Sequence, residues 1–161
     1  RRGVVFTVRK ADIFHGRNWS FIHPANATEL LREDSIERAI QYFLTHEYFV
    51  CYDPYSYLAW LAAMLGCTPI VHPLHGVTKR EWLLLTFLGG YMSETGALDF
   101  PGLAYGWEEA DYATRTKHLM RKELFRVKDY AHNVTVPRMI RDARRAAAGV
   151  QIGFEGAMRV S

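Results

Sequence analysis

Three short stretches carry the side chains best suited to chemistry. Arg9-Lys10 places two cations at the end of an apolar run. Tyr52-Asp53-Pro54-Tyr55-Ser56-Tyr57 gathers a carboxylate and four hydroxyl-bearing side chains within six residues. His72 and His75 straddle Pro73 shortly afterwards. Cations beside hydroxyls and a helix start suit a phosphate or diphosphate: charge-assisted hydrogen bonds neutralise it, and free backbone N–H groups point at it. Asp53 can accept from a ribose or sugar hydroxyl, or it can cap the helix that follows. The histidines can point into the same crevice or simply be solvated. Arg9-Lys10 is equally readable as a solvated charge pair at the start of a loop.

These groups need elements to hold them. Residues 48–52 are apolar, aromatic and of strand length, and Asp53-Pro54 breaks the run. Ser56 is a helix cap for an apolar segment that Gly66 stops. A second strand spans residues 68–72 and ends at Pro73. Strand, helix and strand make one βαβ unit with a right-handed crossover. Both strands are apolar on each face, as a buried parallel sheet requires. Tyr52, Asp53, Tyr55, Ser56 and Tyr57 then lie where a strand's carboxyl end meets a helix N-terminus, the edge on which open α/β sheets hold ligands.

Around that unit, residues 3–8 predict a first strand whose carboxyl end carries Arg9 and Lys10. Residues 11–19 read as loop, 20–23 as a short second strand, and 26–31 as a turn or single helical turn. Asp34 and Glu37 have capping-box spacing ahead of a helix with the apolar stripe Ile36, Ile40, Phe43 and Leu44. Thr78 and Glu81 form a second capping box. It opens a helix through Leu88, stopped by Gly89-Gly90, with a loop over 91–102. Residues 103–105 are a weak last strand. A long charged helix over 107–130 and a further helix over 133–149, with Pro137 in its first turn, complete the pattern. The expected fold is α/β: a Rossmann-like, doubly wound parallel sheet of about five strands, flanked by helices and followed by C-terminal helices. One domain covers residues 1–149, with a loose tail over 150–161. The last helix is basic at Arg138, Arg141, Arg144 and Arg145, which reads as a solvated helix end or as a docking surface for a further domain.

Bulk properties exclude several classes. The chain has 161 residues, 49% of them hydrophobic, enough for a globular core. A net charge of +3 without a dense basic face ahead of the C-terminal tail does not call for nucleic acid. No apolar run of about 18 residues exists, so no transmembrane segment is expected. Cys51 and Cys67 are too few for a disulfide framework or a zinc site and read as buried free thiols. Three Asn-x-Ser/Thr triplets, at Asn18, Asn26 and Asn133, carry little weight. No P-loop, nucleophile elbow, metal-ligand cluster or Gly-x-Gly-x-x-Gly fingerprint is present, which disfavours an NAD or FAD site. The start at Arg1-Arg2, without Met, reads as the start of an excised piece of something longer.

The central unit resembles the C-terminal, nucleotide-sugar-binding domain of GT-B fold glycosyltransferases. Ala62-Ala63-Met64-Leu65-Gly66-Cys67-Thr68-Pro69-Ile70-Val71 stands where many retaining members have Glu-Ala-Met-x-x-Gly-Thr-Pro-Val-Val. Tyr52-Asp53-Pro54-Tyr55-Ser56-Tyr57 is similar to the Tyr-Asp-Pro-Tyr head of a polysaccharide-building subgroup. The segment from His72-Pro73 through Gly76-Val77-Thr78-Lys79-Arg80-Glu81-Trp82, and Ala104-Tyr105-Gly106, also look like that subgroup. The resemblance spans roughly residues 3–130. It implies a donor-binding half: Arg9, Lys10, Tyr52, Asp53, Tyr55, Ser56, Tyr57, His75 and Gly76 would bind a nucleotide-sugar, with no metal and no cofactor beyond that donor substrate. Loops around 11–19 and 32–35 would choose the base. The acceptor glycan site, and an inverting base, would sit in an N-terminal domain outside this chain, so the fragment itself would not turn over. The location implied is cytoplasmic or membrane-peripheral, or the Golgi lumen in a eukaryote. The paired glutamates of the retaining members fall on Pro54 and Ala62 here. This opens the alternative of a non-catalytic interaction or regulatory domain that kept the fold without the chemistry.

Overall fold

The computed structural model describes residues 1–16 and 19–146. The triplet at Asn18, the tail over 150–161 and the last residues of the expected final helix lie outside that range. The chain forms two compact units, Arg1–Leu124 and Phe125–Ser161.

The first unit is an α/β fold with a five-stranded, all-parallel sheet. Its elements are β1 (Val4–Thr7), α1 (Ala11–His15), β2 (Thr28–Glu29), α2 (Ile36–Thr45), β3 (Tyr48–Cys51), α3 (Tyr57–Met64), β4 (Thr68–Val71), α4 (Lys79–Leu84), α5 (Gly89–Thr95), β5 (Ala104–Tyr105) and α6 (Ala110–Thr116). The sheet order is β2-β1-β3-β4-β5, Rossmann-like and doubly wound. In register, Val5 lies opposite Phe49, Val50 opposite Ile70, and Val71 opposite Tyr105.

Side-chain alternation divides the core into two layers. Val5, Phe49 and Cys51 face α2 and α3, packing on Ala39, Phe43, Leu58 and Ala62. Val50, Tyr52 and Ile70 face the other way, onto Ala11, Ala110 and Ala113. Pro69 costs no ladder bond towards β5, because β5 pairs β4 only at Ile70 and Val71. The α3 helix ends as the sequence predicts. Gly66 takes φ +85°, and the Gly66 and Cys67 N–H groups donate to the Ala63 and Ala62 carbonyls, which is a Schellman closure.

Several expectations are corrected. Residues 20–23 are not a strand, because Ile22 and His23 turn their N–H groups to the Tyr52 hydroxyl. The second strand is Thr28–Glu29, inside the segment read as a turn; the Leu30 N–H donates to the Phe6 carbonyl just beyond it. Residues 11–15 are a helical turn and not loop. The cap of α2 is Ser35, which accepts from the Arg38 N–H, while Asp34 accepts from the Leu31 N–H. Its buried face is Ala39 and Phe43; Ile36 and Leu44 are exposed.

The Thr78–Glu81 capping box forms as expected, but its helix stops at Leu84. Gly89 then starts α5, packed so tightly that a Cβ there would collide with the Leu84 carbonyl. The expected helix over 107–130 is four pieces: a 3-10 turn at Trp107–Glu109, α6, a 3-10 turn at Lys117–Leu119, and α7 (Met120–Tyr130). The division between the two units falls within α7. The break expected near residue 133 is instead a π turn, Ala131–Thr135, running into helix over 136–146. Pro137, which cannot donate a backbone hydrogen bond, follows that turn.

Candidate functional site

In the order β2-β1-β3-β4-β5 the winding direction reverses between β1 and β3. The crevice outside the carboxyl ends of those two strands is the expected ligand position. A cavity of about 650 Å³ occupies it, lined by Val8, Arg9, Lys10, Ala11, Asp12, Ile13, Arg32, Asp53, Tyr55, Ser56 and Tyr57. That volume suits a ligand of nucleotide size.

Each wall has a local cause. After β3, the Asp53 carboxylate is nearly buried and accepts from the Tyr55 N–H at 3.1 Å. The Ser56 N–H donates to the Asp53 carbonyl at 3.1 Å, and Ser56 Oγ accepts from the Leu58 N–H at 3.3 Å to open α3. Asp53 and Ser56 thus act as turn former and helix cap. The whole turn rests on Trp82, whose buried indole N–H donates to the Pro54 carbonyl at 2.8 Å.

After β1, the Arg9 guanidinium donates to the Leu31 and Arg32 carbonyls at 2.8 and 3.0 Å. This ties the β2–α2 loop to the crevice and brings Arg32 to its wall. The Arg9 Nε–H is buried with no protein acceptor. Lys10 follows in a left-handed conformation, φ +56°, which is uncommon for a non-glycine residue and costs about 1 kcal/mol or more. It brings Lys10 Nζ to 3.6 Å from Asp53 Oδ2.

His75 and Gly76 sit elsewhere. With His15, Trp19 and His72 they line a neighbouring crevice of about 550 Å³ past the end of β4. His15 Nε2–H donates to the Tyr52 carbonyl at 2.9 Å, and the His15 and His72 rings meet edge-on at 4.2 Å. Burial, reinforced by His15, lowers the His72 pKa, and its Nδ1 is buried without a partner. Tyr52 is fully buried, its ring packed against Trp19 and His72 of this second crevice. Its hydroxyl accepts from the Ile22 and His23 N–H groups at 2.6 and 3.2 Å and can donate to His23 Nδ1 at 2.8 Å. Burial raises the Tyr52 pKa and lowers that of His23, which fits a protonated phenol beside a neutral imidazole.

Of the nine residues singled out by sequence, six line one crevice, two line its neighbour, and Tyr52 is an internal strut. Arg32 is the important omission. The loop holding it was singled out, yet nothing local marks its side chain until Arg9 fixes the loop. Ala62 is fully buried between α3 and the sheet, so that position faces the core. Among the described residues no group of three His, Cys, Asp or Glu side chains could hold a metal ion. None of the described helices is long and apolar enough to cross a membrane. Comparison with protein-family models, curated proteins and solved structures gives no match.

Proposed function

We propose that this chain is the nucleotide-sugar donor domain of a GT-B type glycosyltransferase, whose acceptor site, and catalytic base if it inverts, lie in an N-terminal domain outside the chain. The observation that carries the reading is the convergence of Arg9, Lys10 and Arg32 with the N-terminus of α3 on the switch-point crevice. A diphosphate there meets three cations and a helix dipole. Tyr57, exposed at the rim, offers a ring face for a base. The donor is then held mainly by side chains, because the Tyr55, Ser56 and Leu58 N–H groups are already engaged within the turn.

The second reading is a non-catalytic interaction or regulatory domain that kept the fold without the chemistry. It is favoured by Pro54 and Ala62 at the places of the family's glutamates, and by Ala62 facing the core. Ligand-observed NMR with UDP, GDP and CMP separates the two. Binding by a nucleoside diphosphate, lost in Arg32→Ala, supports the donor domain; silence from all three up to millimolar concentration leaves the second reading.

A further inference from the structure

The second compact unit carries a feature that nucleotide binding does not use. Every residue from 136 to 146 is helical and exposed. At 100° per residue, Val136, Met139, Ile140 and Ala143 fall on one stripe, and Arg138, Arg141, Arg144 and Arg145 fall on the adjoining face. Val136, Met139 and Ile140 are 46%, 64% and 48% exposed, so the apolar stripe stands in water.

Charge is distributed to match. The described part of this unit, residues 125–146, holds six Lys and Arg against two Asp and Glu, whereas the whole chain nets only +3. The rest of the protein is therefore slightly acidic and the cationic charge is gathered here. A basic helix with an apolar stripe is the composition of an interfacial helix.

We infer that residues 136–146 dock the protein on an anionic membrane surface, with Met139 and Ile140 dipping into the headgroup boundary and Arg141, Arg144 and Arg145 meeting lipid phosphates. A protein partner fits less well. The described segment 136–146 is about 16 Å long, and its apolar stripe by itself falls far short of the roughly 800 Å² per partner that a stable interface covers. Nucleic acid would use the arginines but leave the apolar stripe without a role.

Vesicle flotation of the full chain tests this, using phosphatidylcholine alone and phosphatidylcholine with one third phosphatidylserine. The expected result is binding to the anionic vesicles, weakened by salt, and little binding to the neutral ones. The combined variant Arg141→Gln, Arg144→Gln, Arg145→Gln should lose about a hundredfold in affinity, at roughly fivefold per arginine. Met139→Ser with Ile140→Ser should also release the protein. All five positions are exposed, and circular dichroism checks that the fold is kept. No binding to anionic vesicles, equal binding to both, RNA binding without vesicle binding, or a dimer lost in Ile140→Ser would each overturn the inference. Flotation needs no nucleotide, so its failure is separate from failure of the donor reading.

Discussion

Lys10 Nζ lies 3.6 Å from Asp53 Oδ2, which joins the residues that follow β1 and β3 across the point where the winding of the sheet reverses. Lys10 reaches it from φ +56°, the one left-handed non-glycine conformation among the described residues. Strain of this kind persists where the surroundings enforce it, and here it aims a cation into the crevice.

That conformation predicts a split between two substitutions. Lys10→Gly removes the charge and relieves the backbone, so thermal stability should hold or rise slightly. Lys10→Ala removes the same charge but keeps the strained φ, and should be less stable than the glycine variant by about 1 kcal/mol. Both should weaken nucleotide binding alike. Denaturant melts beside binding titrations of the two proteins check this.

Trp82 should matter to a site it never touches. Trp82→Phe keeps most of the packing but leaves the Pro54 carbonyl without its indole donor, at a cost of about 1–3 kcal/mol. Trp82→Ala should cost about 3–5 kcal/mol. Binding in the phenylalanine variant should weaken as well, because the turn holding Asp53 and Ser56 loses its support. Urea melts and one nucleotide titration read both effects.

The histidines around Tyr52 set a pH dependence. His72 and His23 both have folded pKa values below the ordinary value, chiefly through burial. The unfolded chain then binds protons more readily than the folded one. The stability these groups contribute is full above the unfolded pKa and is lost as pH falls. The melting temperature should drop between about pH 7.5 and about pH 5.5, and His72→Gln should flatten that slope. Scanning fluorimetry across the range would show it.

The two thiols should be silent in the native protein. Burial pushes Cys51 and Cys67 up to about 12, and both side chains are fully enclosed. An aromatic disulfide reagent should label neither under native conditions and both in denaturant. Fast native labelling of either would contradict the packing of α3 against the sheet.

What was legible in the sequence follows from how local each signal is. The β3–α3–β4 unit could be read because its apolar runs, Ser56 cap and Gly66 stop are near neighbours in the chain. The Thr78–Glu81 box was readable for the same reason. Residues 20–23 misled because their apolar and aromatic character serves packing around Tyr52, where Phe21 and His23 contact its ring, and not a ladder. The real β2 is two residues long, too short to show periodicity. At the site, Arg9 and Lys10 were visible as a charge pair at a strand end. That Arg9 would be spent on holding a loop, and that Arg32 would join it, depends on contacts 22 and 23 residues apart that no local pattern encodes.

On the proposed function, the β1/β3 crevice binds a nucleoside diphosphate through the side-chain cations that line it. Isothermal titration of the intact chain with UDP, GDP and CMP tests it most directly. Saturable one-to-one binding of a diphosphate is expected, about tenfold or more weaker in Arg32→Ala and in Lys10→Gly, as loss of a charge-assisted contact requires. Absence of heat and of saturation with every nucleotide up to millimolar concentration, or binding indifferent to both substitutions, would contradict it.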